Sequence, residues 1–322
     1  MSTILITGGH SGLGLETSKQ LASRGIDLIL AGRDPARIEV VAKRLIEIYG
    51  IKAVALKMDI SSLTSVRNSV AEIQDLIAKR EIDDLQAIVC NAGASFMGGI
   101  KYSADGYELT FATNYLGHFL LVQLLLDYVA KNGRIVFVTS GTHDPETRDG
   151  KMVGKAGKAD AVALAHLGKY NLKTISWGQR YSTSKLCMIL LTYELDRRLK
   201  RSGKSISSIA FDPGSIPETG LIRSLPRQLQ SFAKTSFARW ITRMIGVTQG
   251  RLDFSSEALA KVVASVEFAG MSGKYLQSNE GVLQDTRSSK ASYEEGSARK
   301  LWEDSSNLVG LHPSEVPASL RN

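Results

Sequence analysis

Thr3-Ile4-Leu5-Ile6-Thr7-Gly8-Gly9-His10-Ser11-Gly12-Leu13-Gly14 stands at the start of the chain and decides how the rest is read. Ile4, Leu5 and Ile6 between two threonines have the β-branched, continuously apolar character of a core strand. The glycines end that strand, and a helix over about 12–24 follows. Gly8 can make the tight turn. Gly12 and Gly14 let the backbone approach a pyrophosphate at the positive end of that helix, with His10, Ser11 and Leu13 completing the loop. A glycine cluster alone is a weak signal. Its place at the first strand–helix junction gives it weight.

The same alternation runs outward from this turn. Strands are predicted at about 3–7, 27–32, 52–58, 85–90 and 133–139, with helices at about 12–24, 35–49, 62–79 and 104–130. A helix at about 181–202, a strand at 204–212, a helix near 253–267 and a strand near 273–278 continue the series. Asp34 before Pro35 marks a helix start, an acid at the N-cap followed by proline in the first turn. This predicts the α/β class: a single Rossmann-type, doubly wound parallel sheet with helices on both faces. No Pro/Gly/Ser linker divides the halves, so residues 1–322 read as one domain.

Two stretches interrupt the rhythm. Residues 141–180 form a long insertion, with Lys151, Lys155, Lys158, Lys169 and Lys173 along it. A connection of that length is usually functional or mobile. It reads either as the rim of a substrate entrance suited to a carboxylate or phosphate, or as a disordered surface loop. Residues 217–252 read as a helical substrate lid. From 219 to 252 there is no acid, while Arg223, Arg227, Lys234, Arg239, Arg243 and Arg251 alternate with Phe232, Phe237, Trp240 and Met244. Such a stretch can close over an apolar substrate, touch an anionic membrane surface, or pack as an ordinary solvated helix. Residues from about 280 to 322 read as a tail.

Composition narrows the classes. The chain has 322 residues and a formal charge of +8. No helix-turn-helix, zinc-finger or aromatic RNA-binding signature accompanies that charge, so nucleic acid is not an expected partner. Five scattered histidines propose no metal site. No signal-peptide pattern precedes the first strand, and no uninterrupted apolar run approaches the roughly 20 residues of a spanning helix. Cys90 and Cys187 lie in apolar segments without paired spacing. They suit buried thiols in a reducing compartment, and the expected location is cytoplasmic.

Two further constellations carry chemistry. Ala31-Gly32-Arg33-Asp34 ends the second strand. Where an acid would bind the ribose hydroxyls of NAD, Gly32 stands, and Arg33 next to it attracts a 2′-phosphate, so NADP(H) is favoured. Tyr181-Ser182-Thr183-Ser184-Lys185 puts a phenol and an ammonium on one helix face. The ammonium is expected to lower the phenol's pKa towards neutrality, making it a proton donor and acceptor. Ser140 closes the strand Ile135 to Thr139, at the carboxyl edge where open α/β sheets bind ligands.

At these residues the sequence resembles the short-chain dehydrogenase/reductase family, over about residues 1–280. The stretch Thr7 to Gly14 is similar to its cofactor loop, and Asp59-Ile60 to its adenine-contacting acid. Asn91-Ala92-Gly93 after Cys90 is similar to its fourth-strand motif, and Pro213-Gly214 to the turn beneath the nicotinamide, with Thr219 beyond it. Asn114, Ser140, Tyr181 and Lys185 match its catalytic tetrad. The resemblance implies that Tyr181 exchanges a proton with a carbonyl or alcohol oxygen as hydride moves to or from the nicotinamide. Ser140 would hold that oxygen. Lys185 would bind the nicotinamide ribose, and Asn114 would hold a water leading from the lysine to solvent.

Within the family the pattern is closest to the light-dependent protochlorophyllide reductase and retinol-dehydrogenase-like branch. Ala104 to Leu109, Asn114 to Leu121, Tyr181 to Cys187, Thr219-Gly220-Leu221 and the tail from Ala298 to Leu311 carry that likeness. The pigment reductases have a cysteine directly after the Pro-Gly turn, where this chain has Ser215. The expected activity is hydride transfer between NADP(H) and a carbonyl or alcohol of a bulky, largely apolar small molecule. Reduction of a conjugated C=C or C=N bond and a non-catalytic NADP-binding sensor or scaffold are the alternatives. Family members often assemble through the helices carrying Asn114 and Tyr181, so a homo-oligomer is open to the chain.

Overall fold

The structure is a computed structural model and describes residues 2–216, 235 and 246–321. Eight strands form one sheet: β1 (Thr3–Thr7), β2 (Asp27–Gly32), β3 (Ala53–Lys57), β4 (Leu85–Cys90), β5 (Val129–Val138), β6 (Ser207–Asp212), β7 (Lys274–Asn279) and β8 (Val282–Asp285). Their spatial order is β3-β2-β1-β4-β5-β6-β7-β8. All neighbours run parallel except β7 and β8, which pair antiparallel. The chain builds outward from β1 in one direction and then, from β4, in the other. The carboxyl ends therefore part beside β1, the place where doubly wound sheets take ligands.

The helices alternate with these strands. They include α1 (Gly12–Ala22), α2 (Pro35–Tyr49), α3 (Leu63–Ala78) and α4 (Leu109–Tyr128). Short α5 (Arg148–Val153) and α6 (Ala161–Ala165) precede the long α7 (Trp177–Arg201), and α8 (Leu252–Ala264) and α9 (Glu295–Leu308) follow. Asp34 caps α2 as its sequence predicts, accepting a bond from the Arg37 amide at 3.2 Å with Pro35 in the first turn. The central strands are buried on both faces because helices cover both. Ile4, Ile6, Leu28 and Leu30 face α1, α2 and α8, while Leu5, Ile29 and Ile88 face α3 and α4.

One expectation from composition needs correcting. α4 is long and apolar enough to cross a membrane, although no uninterrupted apolar run in the sequence suggests it. Its apolarity has another use here, since 83% of that stretch is buried inside the fold. Gly117 permits this packing. A Cβ there would stand 1.8 Å from the Ile60 carbonyl oxygen, so any larger residue would push α4 off the β3 edge.

The insertion is not a disordered loop. Asp160 caps α6 through the Ala163 amide, and Ala161, Leu164, Ala165 and Leu167 enter the main core. The strongest lock is Arg180, 3% exposed, which reaches the carbonyls of Ile175, Phe96 and Gly98 and lies 3.1 Å from the buried Glu108 carboxylate. Besides α5 and α6 of the insertion, two further elements were not expected from the sequence. Glu280-Gly281, both at positive φ, turn the chain into the edge strand β8. The tail contains α9, held by Trp302 edge-on to Phe119 at 5.2 Å and beneath the Arg198 guanidinium at 4.3 Å. Ser305 of α9 also donates to Tyr115 at 3.1 Å. The outer faces of the helices carrying Asn114 and Tyr181 are thus partly covered by the chain's own tail.

The lid expected at 217–252 lies mostly outside the described residues. Its two ends are paired, Ser215 bridging Gln249, with the Ser215 amide on the Thr248 carbonyl at 3.0 Å and the Gly250 amide on the Ser215 carbonyl at 3.0 Å.

Candidate active site

The glycine turn joins β1 to α1 at the carboxyl end of the strand. Gly8 (φ +70°) and Gly12 (φ +53°) take backbone angles that disfavour side chains. Gly14 has a different reason: a Cβ there would stand 2.4 Å from the Gly8 carbonyl oxygen and 2.6 Å from Asn91 Nδ2. Ser11 occupies the N-cap of α1 in extended conformation without using its hydroxyl to cap, and Leu13 is buried beneath the turn. A bare backbone cradle at a helix N-terminus suits a diphosphate.

The adenosine end is shaped by Gly32, His10 and Arg33. A Cβ at Gly32 would stand 2.4 Å from His10 Cε1, so the His10 ring fills the space that an acid at position 32 would occupy. Arg33 is exposed at the rim. Asp59, past the end of β3, accepts from the Ser61 amide at 3.0 Å and the Ser61 hydroxyl at 2.7 Å, and Ile60 is buried beside it.

Past β4, Asn91 spans to β1 by donating Nδ2 to the Thr7 carbonyl at 2.8 Å. The Thr7 hydroxyl receives the Asn91 and Ala92 amides, both at 2.9 Å, and contacts His118 Nε2 at 3.0 Å. Burial pushes His118 down to about 3, so the ring is neutral. Gly93 is small because Asn114 and Lys185 converge on it, a Cβ there standing 3.4 Å from Asn114 Oδ1 and 3.5 Å from Lys185 Nζ. Asn114 lies in a π-helical turn of α4, residues Ala112–Leu116, a common irregularity at functional positions. Its side chain accepts from the Ala94 amide at 2.8 Å and donates to the Ala94 carbonyl and the Ser184 hydroxyl.

The remaining tetrad members meet at the end of β5. Ser140 follows that strand. Tyr181 and Lys185 come from the first turns of α7, which starts at the Ser176 cap. The Tyr181 phenol faces the Ser140 side chain, close enough for the hydroxyl to stabilise its ionised form. Lys185 Nζ donates to the Val138 carbonyl at 2.9 Å and lies 5.7 Å from the Tyr181 ring centre. The structure therefore brings together all four residues expected at the reacting centre.

The electrostatics differ from the expectation. Burial pushes the Tyr181 phenol up rather than down; the nearby Ser140 hydroxyl opposes this and the Asp212 carboxylate adds to it. Burial also pulls Lys185 down to about 8, against the pull of Asp212. Spacing at i and i+4 guarantees that the pair are neighbours. In a dry site, however, desolvation of the phenolate outweighs the attraction of an ammonium that is not hydrogen-bonded to it.

Asp212 is a site group that the sequence reading did not single out. Asp212 ends β6, 1% exposed, and accepts from the Gly214 amide (3.0 Å), the Tyr275 hydroxyl (2.7 Å) and Gln277 Nε2 (2.9 Å). An acid closing the apolar run Ile209-Ala210-Phe211 was the available signal. His143 makes a local turn bond, its Nδ1 donating to the Ser140 carbonyl at 2.8 Å. Its Nε2 accepts the Ser289 amide at 3.0 Å, which puts the proton on Nδ1. Gly214 (φ +71°) makes the turn after Pro213, while Ser255 holds the Pro213 carbonyl at 2.8 Å. Thr219 lies outside the described residues. Cys90 and Cys187 are both free and buried.

A family model described as short chain dehydrogenase matches residues 2–167. Human retinol dehydrogenase 13 is 31% identical over 318 residues, covering 98% of this chain and 86% of that protein. Chloroplastic protochlorophyllide reductase of Daucus carota is 35% identical, covering 96% and 78%. Human polyprenol dehydrogenase is 29% identical, covering 95% and 84%. Among solved structures, a protein from Mycobacterium Paratuberculosis superposes with a TM-score of 0.69 at 25% identity, covering 96% of this chain and 94% of the other. The Pseudomonas aeruginosa RhlG/NADP active-site complex has the same fold, with a TM-score of 0.62 at 23% identity, covering 87% and 95%. With this fold, this cleft and these relatives, the chain belongs to the short-chain dehydrogenase/reductase family of oxidoreductases.

Proposed function

We propose that the chain is an NADP(H)-dependent oxidoreductase that interconverts a carbonyl and an alcohol on a bulky, largely apolar molecule. The observation that carries this reading is the Tyr181 phenol facing Ser140 at the carboxyl edge, with Lys185 one turn along the same helix, its Nζ on the Val138 carbonyl, and the glycine cradle at the head of α1. The bare cradle at Gly8, Gly12 and Gly14 suits a diphosphate, and Lys185 with the Pro213-Gly214 turn would hold the nicotinamide half. Bound there, the dinucleotide supplies or accepts the hydride. Ser140 holds the substrate oxygen. Tyr181 gives that oxygen its proton in reduction and removes it in oxidation, so charge never accumulates on the oxygen in a dry site. A phenol kept protonated by burial is ready to act as the acid when a carbonyl is reduced.

The preference for a 2′-phosphate rests on Gly32 and Arg33. The His10 ring excludes an acid at position 32, and Arg33 offers its guanidinium to the phosphate. The substrate class draws on the relatives named for retinol, polyprenol and protochlorophyllide. The likeness to protochlorophyllide reductase favours one second reading, reduction of a conjugated double bond.

NADPH consumption with all-trans-retinal, a polyprenal and protochlorophyllide, the last in dark and light, separates these readings. Turnover of an aldehyde in the dark, abolished in Tyr181→Phe while NADPH still binds, is the expected result. Retained turnover in Tyr181→Phe refutes the proton role. Turnover of protochlorophyllide alone would move the assignment to the second reading.

A further inference from the structure

We infer that Asp212 is a positioning residue for this site: its buried carboxylate ties the wall carrying Ser140 to the turn Pro213-Gly214 and serves as the counter-charge of Lys185. The inference rests on the cleft being a dinucleotide site. A carboxylate this deeply buried needs its charge met by donors and by a cation. Three donors are in place, the Gly214 amide on Oδ1 and both the Tyr275 hydroxyl and Gln277 Nε2 on Oδ2. The cation is set by strand register. Val138 lies opposite Phe211, and Lys185 Nζ binds the Val138 carbonyl, so the ammonium sits one residue from Asp212 across the β5–β6 pair.

The carboxylate also lies against the backbone just after Ser140. A Cβ on Gly141, the residue after Ser140, would stand 3.2 Å from Asp212 Oδ2. The Tyr275 ring lies 5.0 Å from the ring of His143, whose Nδ1 proton holds the Ser140 carbonyl. The groups facing Asp212 are Tyr275 and Gln277 from β7, Asp149 from α5, His143 from the turn after β5, and Tyr181 and Lys185 from α7. Asp149 is held by the Thr248 amide and hydroxyl, and burial pushes its carboxyl up. Burial likewise pulls His143 down and keeps it neutral, so Lys185 supplies the positive charge among these groups.

Asp212→Asn keeps the shape and removes the charge. Its amide nitrogen must then face either the Gly214 amide or the Tyr275 and Gln277 donors, so a donor meets a donor in one orientation or the other. The test is calorimetric binding of NADP+ and of 2′,5′-ADP, which lacks the nicotinamide half, across pH 6–9.5. For Asp212→Asn the expected result is at least a tenfold loss of NADP+ affinity at pH 7, with 2′,5′-ADP unchanged within twofold. The alkaline fall of NADP+ affinity should also move to lower pH by half a unit or more, because Lys185 has lost its partner. A purely structural role would lower the melting temperature without this contrast between ligands or the shifted limb. A folded Asp212→Asn protein that binds both ligands as the wild type does, with the same limb, overturns the inference. Wild-type protein that binds neither ligand overturns the dinucleotide reading, and the inference with it. Should Asp212→Asn fail to fold, Tyr275→Phe asks the same of the brace. A threefold or greater loss for NADP+ alone is expected, and equal affinity overturns it.

Discussion

Replacing Arg180 by Met tests whether the insertion before Tyr181 is locked into the fold. The guanidinium is 3% exposed and its partner Glu108 is 1% exposed. Met keeps the apolar stem and removes the charge and the donors to the Ile175, Phe96 and Gly98 carbonyls. Breaking a buried pair from one side costs about 3–5 kcal/mol, because the remaining charge has neither water nor partner. In a protein of this size that corresponds to a fall in Tm of about 4–7 °C. Burial already pushes the Glu108 carboxyl up, with the Arg180 charge among the groups opposing it. In Arg180→Met the folded-state pKa of Glu108 therefore rises further above the unfolded value. The folded state then holds the proton more tightly, so the variant regains stability as pH falls through that raised pKa and loses it as pH rises. Urea unfolding followed by circular dichroism at pH 5 and pH 8 reads both effects, and Arg180→Met/Glu108→Gln should recover part of the loss at pH 8. A loss below about 1 kcal/mol at pH 8, with no gain on acidification, refutes the view that this pair locks the segment.

Three further outcomes follow from the site. Lys185 is pulled down to about 8, so NADP(H) binding and turnover should fall around that pH instead of near the ordinary lysine value. Because the unfolded chain binds that proton more tightly, stability should not fall across the same interval, which melting curves from pH 7 to 10 would check. Gly14→Ala places a Cβ 2.4 Å from a backbone carbonyl that cannot swing away. It should cost about 1–3 kcal/mol of stability, read by urea unfolding, and reduce dinucleotide affinity at least tenfold by titration. Arg33→Ala should weaken NADPH by about tenfold, roughly 1.4 kcal/mol, while leaving NADH within twofold; equal losses for both would remove the arginine from cofactor discrimination.

Most of the sheet was legible because each central strand is a continuous apolar run bounded by glycine or an acid, and strand burial on both faces writes itself that way. β1, β2 and β4 fall at the expected residues, as does α2, whose Asp34-Pro35 start is a local signal that needs no tertiary contact. The elements missed lack such signals. β8 is four residues long and mostly exposed, and its pairing depends on Glu280 accepting a left-handed backbone, which favours glycine, asparagine or aspartate. α9 buries only Ala298, Leu301, Trp302 and Ser305 along a polar helix. That narrow stripe acquires meaning only once Phe119 and Arg198 are known to receive it. The insertion misled for a related reason. Its glycines and lysines suggest a loose loop, whereas its order comes from a single buried arginine and a short capped helix.

The site divides along the same line. Residues that act through backbone shape or through neighbours on one helix, such as Gly14 and the Tyr181–Lys185 pair, are readable from spacing. Their ionisation is not, because sign and size depend on what else shares the cavity. Attraction between phenolate and ammonium would lower the phenol's pKa in water-like surroundings, and that was the natural expectation. Inside the fold the desolvation of the phenolate is the larger effect, and Asp212, which draws two of its donors from β7, opposes ionisation further. Asp212 owes its place beside Ser140 to the β5–β6 register and its donors to β7, so three separate strand ends must be assembled before its influence exists. The tertiary structure thus keeps the Tyr181 phenol in its protonated form, the form in which a phenol can donate a proton.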